Sequence, residues 1–353
     1  MRQNGQSAPY LKSKAEKMKA IRLEAVHSLF TRDVEKPHCG PGDTLVRIEA
    51  SGVCGTDRHL YHGEFPCRPP VTLGHEFSGI IEAVGEAVTG YKVGDRITCD
   101  PNIACGRCER CHEGRINLCQ NLKTIGISRN GGMAEFAIVP EKQAFLLPLS
   151  LNPLYGAFCE PLACCIHGID LAAIRTGGSV VVLGGGVIGL LTVQLARLAG
   201  ATSVVLVTRQ KFKRDLALQL GATLALDPTM RDFEAEFIRE TSGGADVVIE
   251  CAGVIETVEQ APRLARPGGK VVIVGVVSQG LKVTYEPFDL LFREVSILAS
   301  FLNPLTQRRA ADMIVGGAIK VEPLISRVVS MVEAPEIIAN PPAAGEVKVL
   351  IVP

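Results

Sequence analysis

The sequence contains no tryptophan, and aromatic residues make up only 5% of it. Neither charge is in excess, because 37 lysines and arginines balance 37 aspartates and glutamates. That balance gives no electrostatic reason to expect a nucleic acid or an acidic membrane surface as a partner. No apolar run reaches the roughly 20 residues of a membrane-spanning helix. The 353 residues, 47% of them hydrophobic and 36 of them glycine, therefore indicate a soluble α/β protein with room for two domains.

The N-terminus also lacks the apolar core of a secretory signal, since its first 20 residues carry basic side chains but no hydrophobic stretch. We therefore expect a cytoplasmic protein, in which twelve cysteines favour metal sites over disulfides. Residues 1–17 are polar and aperiodic. They are predicted to form a disordered extension, or to precede an alternative start.

The stretch 180–190, VVVLGGGVIGL, is the pattern around which the chain is organised. Apolar residues lead into glycines with the spacing G-x-G-x-x-G, and a helical pattern follows. This order predicts a strand, a tight turn and a helix whose N-terminal N–H groups bind the pyrophosphate of a dinucleotide. The predicted contacts in this turn are Gly184, Gly186, Val187, Ile188 and Gly189.

Residues 179–300 alternate between strand and helix patterns. Strands are predicted at 179–183, 203–207, 224–226, 246–250, 270–274 and 295–299, and helices at 187–198, 211–220, 230–241 and 254–264. Six strands with helical crossovers predict a doubly wound parallel sheet of the Rossmann type, covered by helices on both faces. This context turns a weak glycine motif into a specific one.

The acid that normally binds the ribose 2′-hydroxyl of NAD, about 20 residues beyond the glycines, is missing. The second strand ends instead in Thr208-Arg209, and Lys213 follows in the next helix. A hydroxyl and a guanidinium at that point favour a 2′-phosphate through charge-assisted hydrogen bonds. We therefore predict NADP, with NAD the weaker alternative. The other interpretation is that basic residues simply begin an exposed helix.

Short strand patterns broken by glycine and proline fill residues 19–139 and predict a compact all-β unit. The tail returns to strand patterns at 326–332 and 347–352, with a helical pattern at 307–315. We therefore predict a β-rich domain at 18–165, an inserted nucleotide domain at 166–300, and a tail at 301–353 that completes the first domain.

Two loops of the β-rich part carry a first set of candidate metal ligands. Cys54 lies in SGVCGTDRH and His75 in LGHEF, so a thiolate and an imidazole on separate loops are able to share a zinc ion with one open position. The alternative for each residue is a buried cysteine or a polar loop histidine. Glu160, just before Pro161, is either a third ligand or a helix-start acid.

A second set of candidate ligands is far more specific. The spacing C-x2-C-x2-C-x7-C in a polar lobe at about 100–120 brings four thiolates together, which predicts a closed, structural zinc site. An iron–sulfur cluster is the chemical alternative. A zinc module for nucleic acid is disfavoured by the neutral charge. The four cysteines are Cys105, Cys108, Cys111 and Cys119.

With these motifs the chain closely resembles the zinc-dependent medium-chain dehydrogenases of the alcohol dehydrogenase superfamily, over essentially all of 18–353. It is most similar to the sorbitol and threonine dehydrogenase group. The resemblance implies a GroES-like catalytic domain around the inserted Rossmann domain, and a homotetramer or homodimer. It departs from sorbitol dehydrogenases at Ser300-Phe301, where they carry Arg-Tyr, and near Leu60, where they carry a tyrosine. Sorbitol as the substrate is therefore in doubt.

The resemblance also implies roles for single residues. Cys54 and His75 would be zinc ligands, with Glu76 and Glu160 bound directly or through water. The resemblance assigns the remaining positions around the site as follows: Asp57 orients His75, Thr56 contacts the substrate oxygen, and His59 is the next member of a proton relay. Four further cysteines match no ligand position and are expected in the core: Cys159, Cys164, Cys165 and Cys251.

Taken together, these observations predict a zinc-dependent oxidoreductase with two zinc ions per chain. It would transfer a hydride between NADP(H) and a small-molecule secondary alcohol or polyol, or the matching ketone. The zinc would stabilise the alkoxide, and Thr56 would pass its proton outward. The alternatives are a non-catalytic NADP-binding redox sensor with structural zinc, and a zinc-binding interaction protein.

Overall fold

The computed structural model describes residues 16–353. The predicted extension at 1–17 lies outside the described residues as far as residue 15, and Lys17 already begins the first strand. The elements before residue 150 are β1 (Lys17–Ala25), β2 (Ser28–Glu35), β3 (Asp43–Gly52), α1 (Gly55–His62), β4 (Val71–Thr72), β5 (Phe77–Val84), β6 (Arg96–Cys99), β7 (Asn102–Ile103), α2 (Glu109–His112), β8 (Lys123–Thr124), β9 (Phe136–Pro140) and β10 (Ala144–Leu147).

The middle of the chain alternates strands and helices. Its elements are α3 (Cys159–Ala172), β11 (Ser179–Leu183), α4 (Val187–Leu198), β12 (Ser203–Val207), α5 (Lys211–Gln219), β13 (Leu224–Leu226), α6 (Phe233–Glu240), β14 (Ala245–Glu250), α7 (Ile255–Leu264), β15 (Ala265–Ile273), α8 (Pro287–Phe292) and β16 (Ser296–Ala299). The tail contains α9 (Gln307–Val315), β17 (Ile325–Ser330), α10 (Ala334–Ala339) and β18 (Lys348–Val352).

The middle strands form one parallel sheet in the order β13-β12-β11-β14-β15-β16. The central strand β11 is buried on both faces. Val180 and Val182 pack with residues of α3 and α4, whereas Val181 and Leu183 pack with residues of α6 and α7. Burying each such side chain contributes about 1.5–3 kcal/mol, which explains why an unbroken apolar run forms this strand. The result is the doubly wound sheet that the sequence predicts.

The tail joins the N-terminal sheet rather than extending the parallel one. β18 pairs antiparallel with β3, and β17 pairs parallel with β18. The sheet has the order β10-β6-β5-β3-β18-β17, with β9 also paired to β3. The fold is therefore α/β, a Rossmann sheet inserted into a β-rich domain. The predicted limit between the domains at residue 165 stays a prediction, because α3 runs continuously from Cys159 to Ala172.

Several elements differ from the sequence-based expectation. The helix predicted at 230–241 is shorter, Phe233–Glu240, because the residues before it form a turn in which the Met230 N–H donates to the Asp227 carbonyl. β15 begins five residues earlier than predicted, at Ala265, and its pairing with β14 is irregular there. Helix α1 and strand β2 are additional, since their residues show no apolar period that would reveal them. Among residues 16–353, no helix combines the length and apolarity needed to cross a membrane.

Candidate active site and zinc centres

The junction between β3 and α1 fixes Cys54 at the base of a cavity. β3 ends at Gly52, and Cys54 precedes the first residue of α1. The Cys54 N–H donates to the Asp57 carboxylate, 2.8 Å away, which satisfies a free donor at the helix start. A side chain at Gly52 would overlap the Glu76 carboxylate, so only glycine lets the two loops approach each other.

The turn before β5 brings the second pair of candidate ligands to Cys54. Gly74 has φ +98°, which L side chains rarely adopt, and a Cβ there would lie 2.5 Å from the Met133 backbone nitrogen. One ligand atom each from Cys54, His75 and Glu76 lies within 4.8 Å of the other two. A thiol, an imidazole and a carboxylate at this spacing fit a single zinc ion with room for a further ligand.

Asp57 lies beside His75, but the two are not hydrogen-bonded. Asp57 Oδ1 is 3.6 Å from His75 Nδ1, and both atoms lack a hydrogen-bond partner among the described residues. Burial opposes charge on the His75 ring, yet the negative charges of Asp57 and Cys54 hold the pKa of His75 well above its ordinary value. Since a ligating imidazole must be neutral, metal binding here would release a proton. The orienting role of Asp57 stays a prediction.

Glu160 lies in the first turn of α3 and lines the same cavity. It is not among the three residues whose ligand atoms lie within 4.8 Å of one another. Burial raises the pKa of Glu160 to about 7, and the Cys164 thiol donates to it at 3.4 Å. The structure therefore places Glu160 at the cavity wall, and its coordination of zinc stays a prediction.

The cavity has a volume of about 290 Å³, at the lower end of the range for small-molecule sites. It contains the four candidate ligands together with Thr56 and His59, which are one turn apart on α1. Phe301 and Ser300 contribute to the opposite wall. Of the four cysteines expected in the core, Cys159 and Cys165 are buried, whereas Cys164 and Cys251 are half-buried and line this cavity, and Cys251 also packs against the core.

The four-cysteine lobe contains α2 and forms the second candidate metal-binding group. The four Sγ atoms all lie within 4.8 Å of one another. Cys108 Sγ is 3.5 Å from Cys111 Sγ and 3.9 Å from Cys119 Sγ. A tetrahedron of sulfurs about 2.3 Å from zinc has edges of about 3.8 Å, so these separations suit the ion. All twelve cysteines of the chain are free of disulfides.

The electrostatics of the lobe also suit a cation. The backbone N–H of Arg107 holds the pKa of Cys105 at about 6, so that thiol ionises readily. Burial, followed by the neighbouring Cys108 sulfur, raises the pKa of Cys111 to about 11. Thiols this crowded resist full ionisation unless a positive ion lies among them, and bound zinc deprotonates coordinating thiols. Backbone N–H groups of Cys105 and Asn121 donate to Cys119 Sγ.

The glycine turn between β11 and α4 has the geometry of a dinucleotide site. Gly184 has φ +104°, and a Cβ there would lie 2.8 Å from the Ala252 nitrogen. A Cβ at Gly189 would overlap the Gly184 carbonyl, so α4 packs directly on the turn. Gly186 faces open space and precedes Val187, the first residue of α4. The predicted contacts thus have the close packing and the open approach that a pyrophosphate requires.

The end of β12 lies beside the glycine turn. Thr208 Oγ1 and the Lys213 side chain both face Gly185 of the turn. Arg214 holds this corner together, because its guanidinium is 2.9 Å from Asp227 and donates to the carbonyls of Thr208 and Arg209. The Arg209 side chain is exposed and has no ion-pair partner among the described residues. A guanidinium in that state is available to an anionic ligand.

Comparisons with known proteins agree with this geometry. The alcohol dehydrogenase GroES-like domain model matches residues 40–149, and the zinc-binding dehydrogenase model matches residues 186–315. An L-threonine 3-dehydrogenase of Symbiobacterium thermophilum is 37% identical over 306 residues, 84% of each chain. A sorbitol dehydrogenase of Halalkalibacterium halodurans is also 37% identical, over 75% of this chain and 79% of its own. The chain belongs to the zinc-type medium-chain alcohol dehydrogenases.

A solved structure extends the similarity to three dimensions. A candidate zinc-binding dehydrogenase from Sinorhizobium meliloti, bound to NADP, is 59% identical and superposes with a TM-score of 0.93. The comparison covers 96% of this chain and all of that one. The resemblance to the sorbitol and threonine dehydrogenase group of medium-chain dehydrogenases is confirmed. So is the architecture of a GroES-like domain with an inserted Rossmann domain.

One further residue of this medium-chain dehydrogenase site, Lys348, belongs to none of the sequence motifs. Lys348 begins β18 and forms a fully buried ion pair with Glu76, 272 positions away, while its Nζ donates to the Val53 carbonyl at 2.9 Å. Burial lowers the pKa of Lys348, but the negative groups around it, Glu76 first and then Cys54 and Asp57, together outweigh burial and raise the pKa above its ordinary value. The lysine therefore compensates part of the Glu76 charge. A lone lysine at the start of the apolar strand KVLIV was the available signal.

Proposed function

We propose that the chain is a zinc-dependent dehydrogenase that transfers a hydride between NADP(H) and a small secondary alcohol or polyol, or the matching ketone. The observation that carries this proposal is the shared cavity. Cys54 and His75 line one side of it, and Ile188 of the dinucleotide turn lines the other. A substrate in that cavity would touch both a metal site and the nicotinamide end of a bound coenzyme.

The chain's own residues fit a catalytic zinc ion, because the donor set mixes thiol, imidazole and carboxylate beside an open cavity. When bound, such an ion lowers the pKa of a coordinated hydroxyl. Thr56 then holds the substrate hydroxyl and hands its proton toward His59, which lies one turn further along α1. We propose a second, structural zinc in the four-cysteine lobe.

The residues that line the cavity indicate the polarity of the substrate. Its polar groups include the hydroxyls of Thr56, Thr124 and Ser300, while Phe65 and Phe301 are apolar. This mixture suits a small, partly polar alcohol. Zinc content is to be measured first, followed by turnover of a panel of alcohols, polyols and ketones with both coenzymes. Absence of turnover with every compound, in protein carrying zinc, would refute the dehydrogenase and favour the redox-sensor alternative.

The preference for NADP(H) rests on Thr208, Arg209 and Lys213, and on the missing acid. A hydrogen bond to a charged group contributes about 1.5–3 kcal/mol, or about 10- to 100-fold in affinity. We therefore expect kcat/KM with NADPH to exceed that with NADH by at least about tenfold. The double change Thr208→Asp with Arg209→Leu should reverse the order. Equal affinities of the unmodified protein for NADH and NADPH in calorimetry would contradict the assignment.

A homodimer or homotetramer is also part of the proposal. β16 is an edge strand of the parallel sheet, and the adjacent helix α8 exposes large apolar side chains. Phe288, Leu291 and Phe292 are each at least 65% exposed. An unpaired edge beside apolar side chains favours association. Light scattering of the purified protein will give the oligomer size. A monomer at micromolar concentration would contradict the proposed homodimer or homotetramer. The cytoplasmic localisation stays a prediction.

A further inference from the structure

The C-terminal end of α1 places a carboxylate against His59. Gly63 follows the helix with φ +75°, and its N–H donates to the Leu60 carbonyl at 3.2 Å. The next N–H, of Glu64, donates to the His59 carbonyl at 2.8 Å. These two bonds form a Schellman motif, which needs glycine at the left-handed position. The backbone thereby fixes Glu64 directly beside His59.

The side chains of the same two residues are hydrogen-bonded as well. Glu64 Oε2 lies 2.6 Å from His59 Nδ1. This hydrogen bond, followed by the charge of His59, lowers the pKa of Glu64, so its carboxylate is ionised at neutral pH. An ionised carboxylate only accepts hydrogen bonds, so Nδ1 must carry the proton. In the neutral ring, Nε2 is then left free to accept one.

The pair also connects the cavity with solvent. Thr56 and His59 line the cavity, whereas Glu64 is not among its lining residues and its side chain is 44% exposed. The His59 ring is itself 26% exposed, but its Nδ1 is hydrogen-bonded to Glu64, so a proton that leaves the ring at Nδ1 passes first to Glu64. The arrangement has the order of a relay, with an acceptor inside, a ring in the middle and a base outside.

We propose that Glu64 is a positioning residue that holds His59 in the Nδ1-protonated tautomer and receives the proton that leaves the ring. The proposal rests on the proposed function. In alcohol oxidation the C–H bond breaks and its hydrogen leaves with the electron pair to the nicotinamide, while the O–H proton reaches His59 Nε2 through Thr56. The Nδ1 proton passes to Glu64 and then to water. Ketone reduction runs the same steps in reverse.

Other charged groups near the pair do not offer the same contact. His62, on the same helix, and the Ser278 hydroxyl of the nucleotide domain each lower the pKa of Glu64 further, after His59. Residues 274–276 line the cavity, and the segment 274–281 contains no ionisable side chain. On the metal side of the cavity lie Cys54, His75, Glu76 and Glu160. Within the described residues, Glu64 is the one carboxylate hydrogen-bonded to His59.

The first test measures the tautomer and does not depend on turnover. Nitrogen-15 NMR of labelled histidines will show His59 protonated at Nδ1 in the unmodified protein, with the signal assigned by its loss in His59→Gln. Glu64→Ala removes the acceptor, so the signal should move toward the other tautomer. Glu86→Gln, which alters an exposed glutamate elsewhere, is the matched control and should change nothing. An unchanged His59 signal in Glu64→Ala would overturn the proposal.

The second test uses alcohol oxidation. Glu64→Ala should lower kcat by about tenfold, a part of the 10²–10⁴-fold that a positioned acid or base contributes, while KM stays within about twofold. Small buffer bases should restore part of the rate, which a purely structural defect would not allow. Glu64→Gln keeps an acceptor oxygen without the charge, so the half-maximal point of the rate should move to lower pH.

The two proposals fail in different ways. A wild-type enzyme that oxidises alcohols, with variants of unchanged pH profile and rate, would refute the role of Glu64 alone. A protein that oxidises no alcohol would refute the proposed function, and the NMR result would still decide whether Glu64 fixes the His59 tautomer.

Discussion

The two candidate metal-binding groups of this dehydrogenase are built in opposite ways. The lobe takes four identical donors from one short segment, Cys105–Cys119, and its sulfurs all lie within 4.8 Å of one another. The other group takes three different donors from two loops, and these open into a cavity of about 290 Å³. A closed set of thiolates leaves a metal ion nothing to bind but the protein. An open, mixed set leaves it a position for substrate.

The comparison therefore separates stability from activity. A ligand of the closed site holds loop segments together, so its loss should be seen in unfolding. A ligand of the open site lies on a loop that the sheet and helix α1 already hold, so its loss should be seen in turnover.

The largest expected effect is on the open site. Cys54→Ser should lower kcat/KM by at least about 100-fold, because metal-assisted charge stabilisation is worth several kcal/mol and each 1.4 kcal/mol is tenfold. The melting temperature should change little. Elemental analysis should find about two zinc ions in the unmodified protein and about one in the variant. Cys67→Ser, a half-buried cysteine outside both groups, is the control. Full activity with one zinc ion or fewer would disprove this assignment.

The closed site should show the reverse. Cys111→Ser removes one of four thiolates, so the lobe should loosen and the melting temperature should fall. A loss of about 2 kcal/mol corresponds to about 4–8 °C for a domain of this size. The remaining folded protein should keep most of its activity per bound catalytic zinc. Calorimetry with and without a chelator will measure the melting temperature, and turnover divided by zinc content will give the activity. An unchanged melting temperature would argue against structural zinc.

The sequence predicted these two groups unequally well, for a physical reason. Four cysteines within one segment are near each other whatever the fold, so their spacing alone predicted a metal site. The ion pair between Glu76 and Lys348 depends on β18 lying beside β3, a pairing that local patterns do not contain. Helix α1 was missed because it depends on the Cys54–Asp57 hydrogen bond and on Gly63 rather than on an apolar stripe.

Glu160 lies between the two extremes. It lines the cavity but does not belong to the three residues whose ligand atoms lie within 4.8 Å of one another. If it coordinates zinc or supports a ligand, Glu160→Ala should weaken zinc retention or turnover by roughly tenfold. Glu322→Ala, an acid in a short helical turn away from the cavity, provides the control. Zinc content and rate both equal to the wild-type values would reduce Glu160 to a helix-start acid.

The smallest effect expected on zinc content and turnover concerns Asp100, which belongs to neither donor set. It directly follows β6, accepts from the Asn102 N–H at 3.0 Å, and accepts from Asn303 Nδ2 of the tail at 3.4 Å. Burial raises the pKa of Asp100 to about 6, above the ordinary 3.8. The folded protein therefore binds this proton more tightly than the unfolded chain does. The resulting stability is present below about pH 4 and is lost as the pH rises through 6.

Asp100→Asn should remove the loss of folding stability above pH 6, while it keeps an oxygen that accepts both hydrogen bonds. Each pKa unit corresponds to about 1.4 kcal/mol, so the variant should be more stable than wild type by at most about 3 kcal/mol at pH 7–8, and nearly equal to it at pH 4. Urea unfolding of both proteins at several pH values will give the difference. Because Asp100 belongs to neither donor set, zinc content and turnover should not change. A stability difference independent of pH would show that Asp100 is ionised throughout and that its hydrogen bonds outweigh its burial.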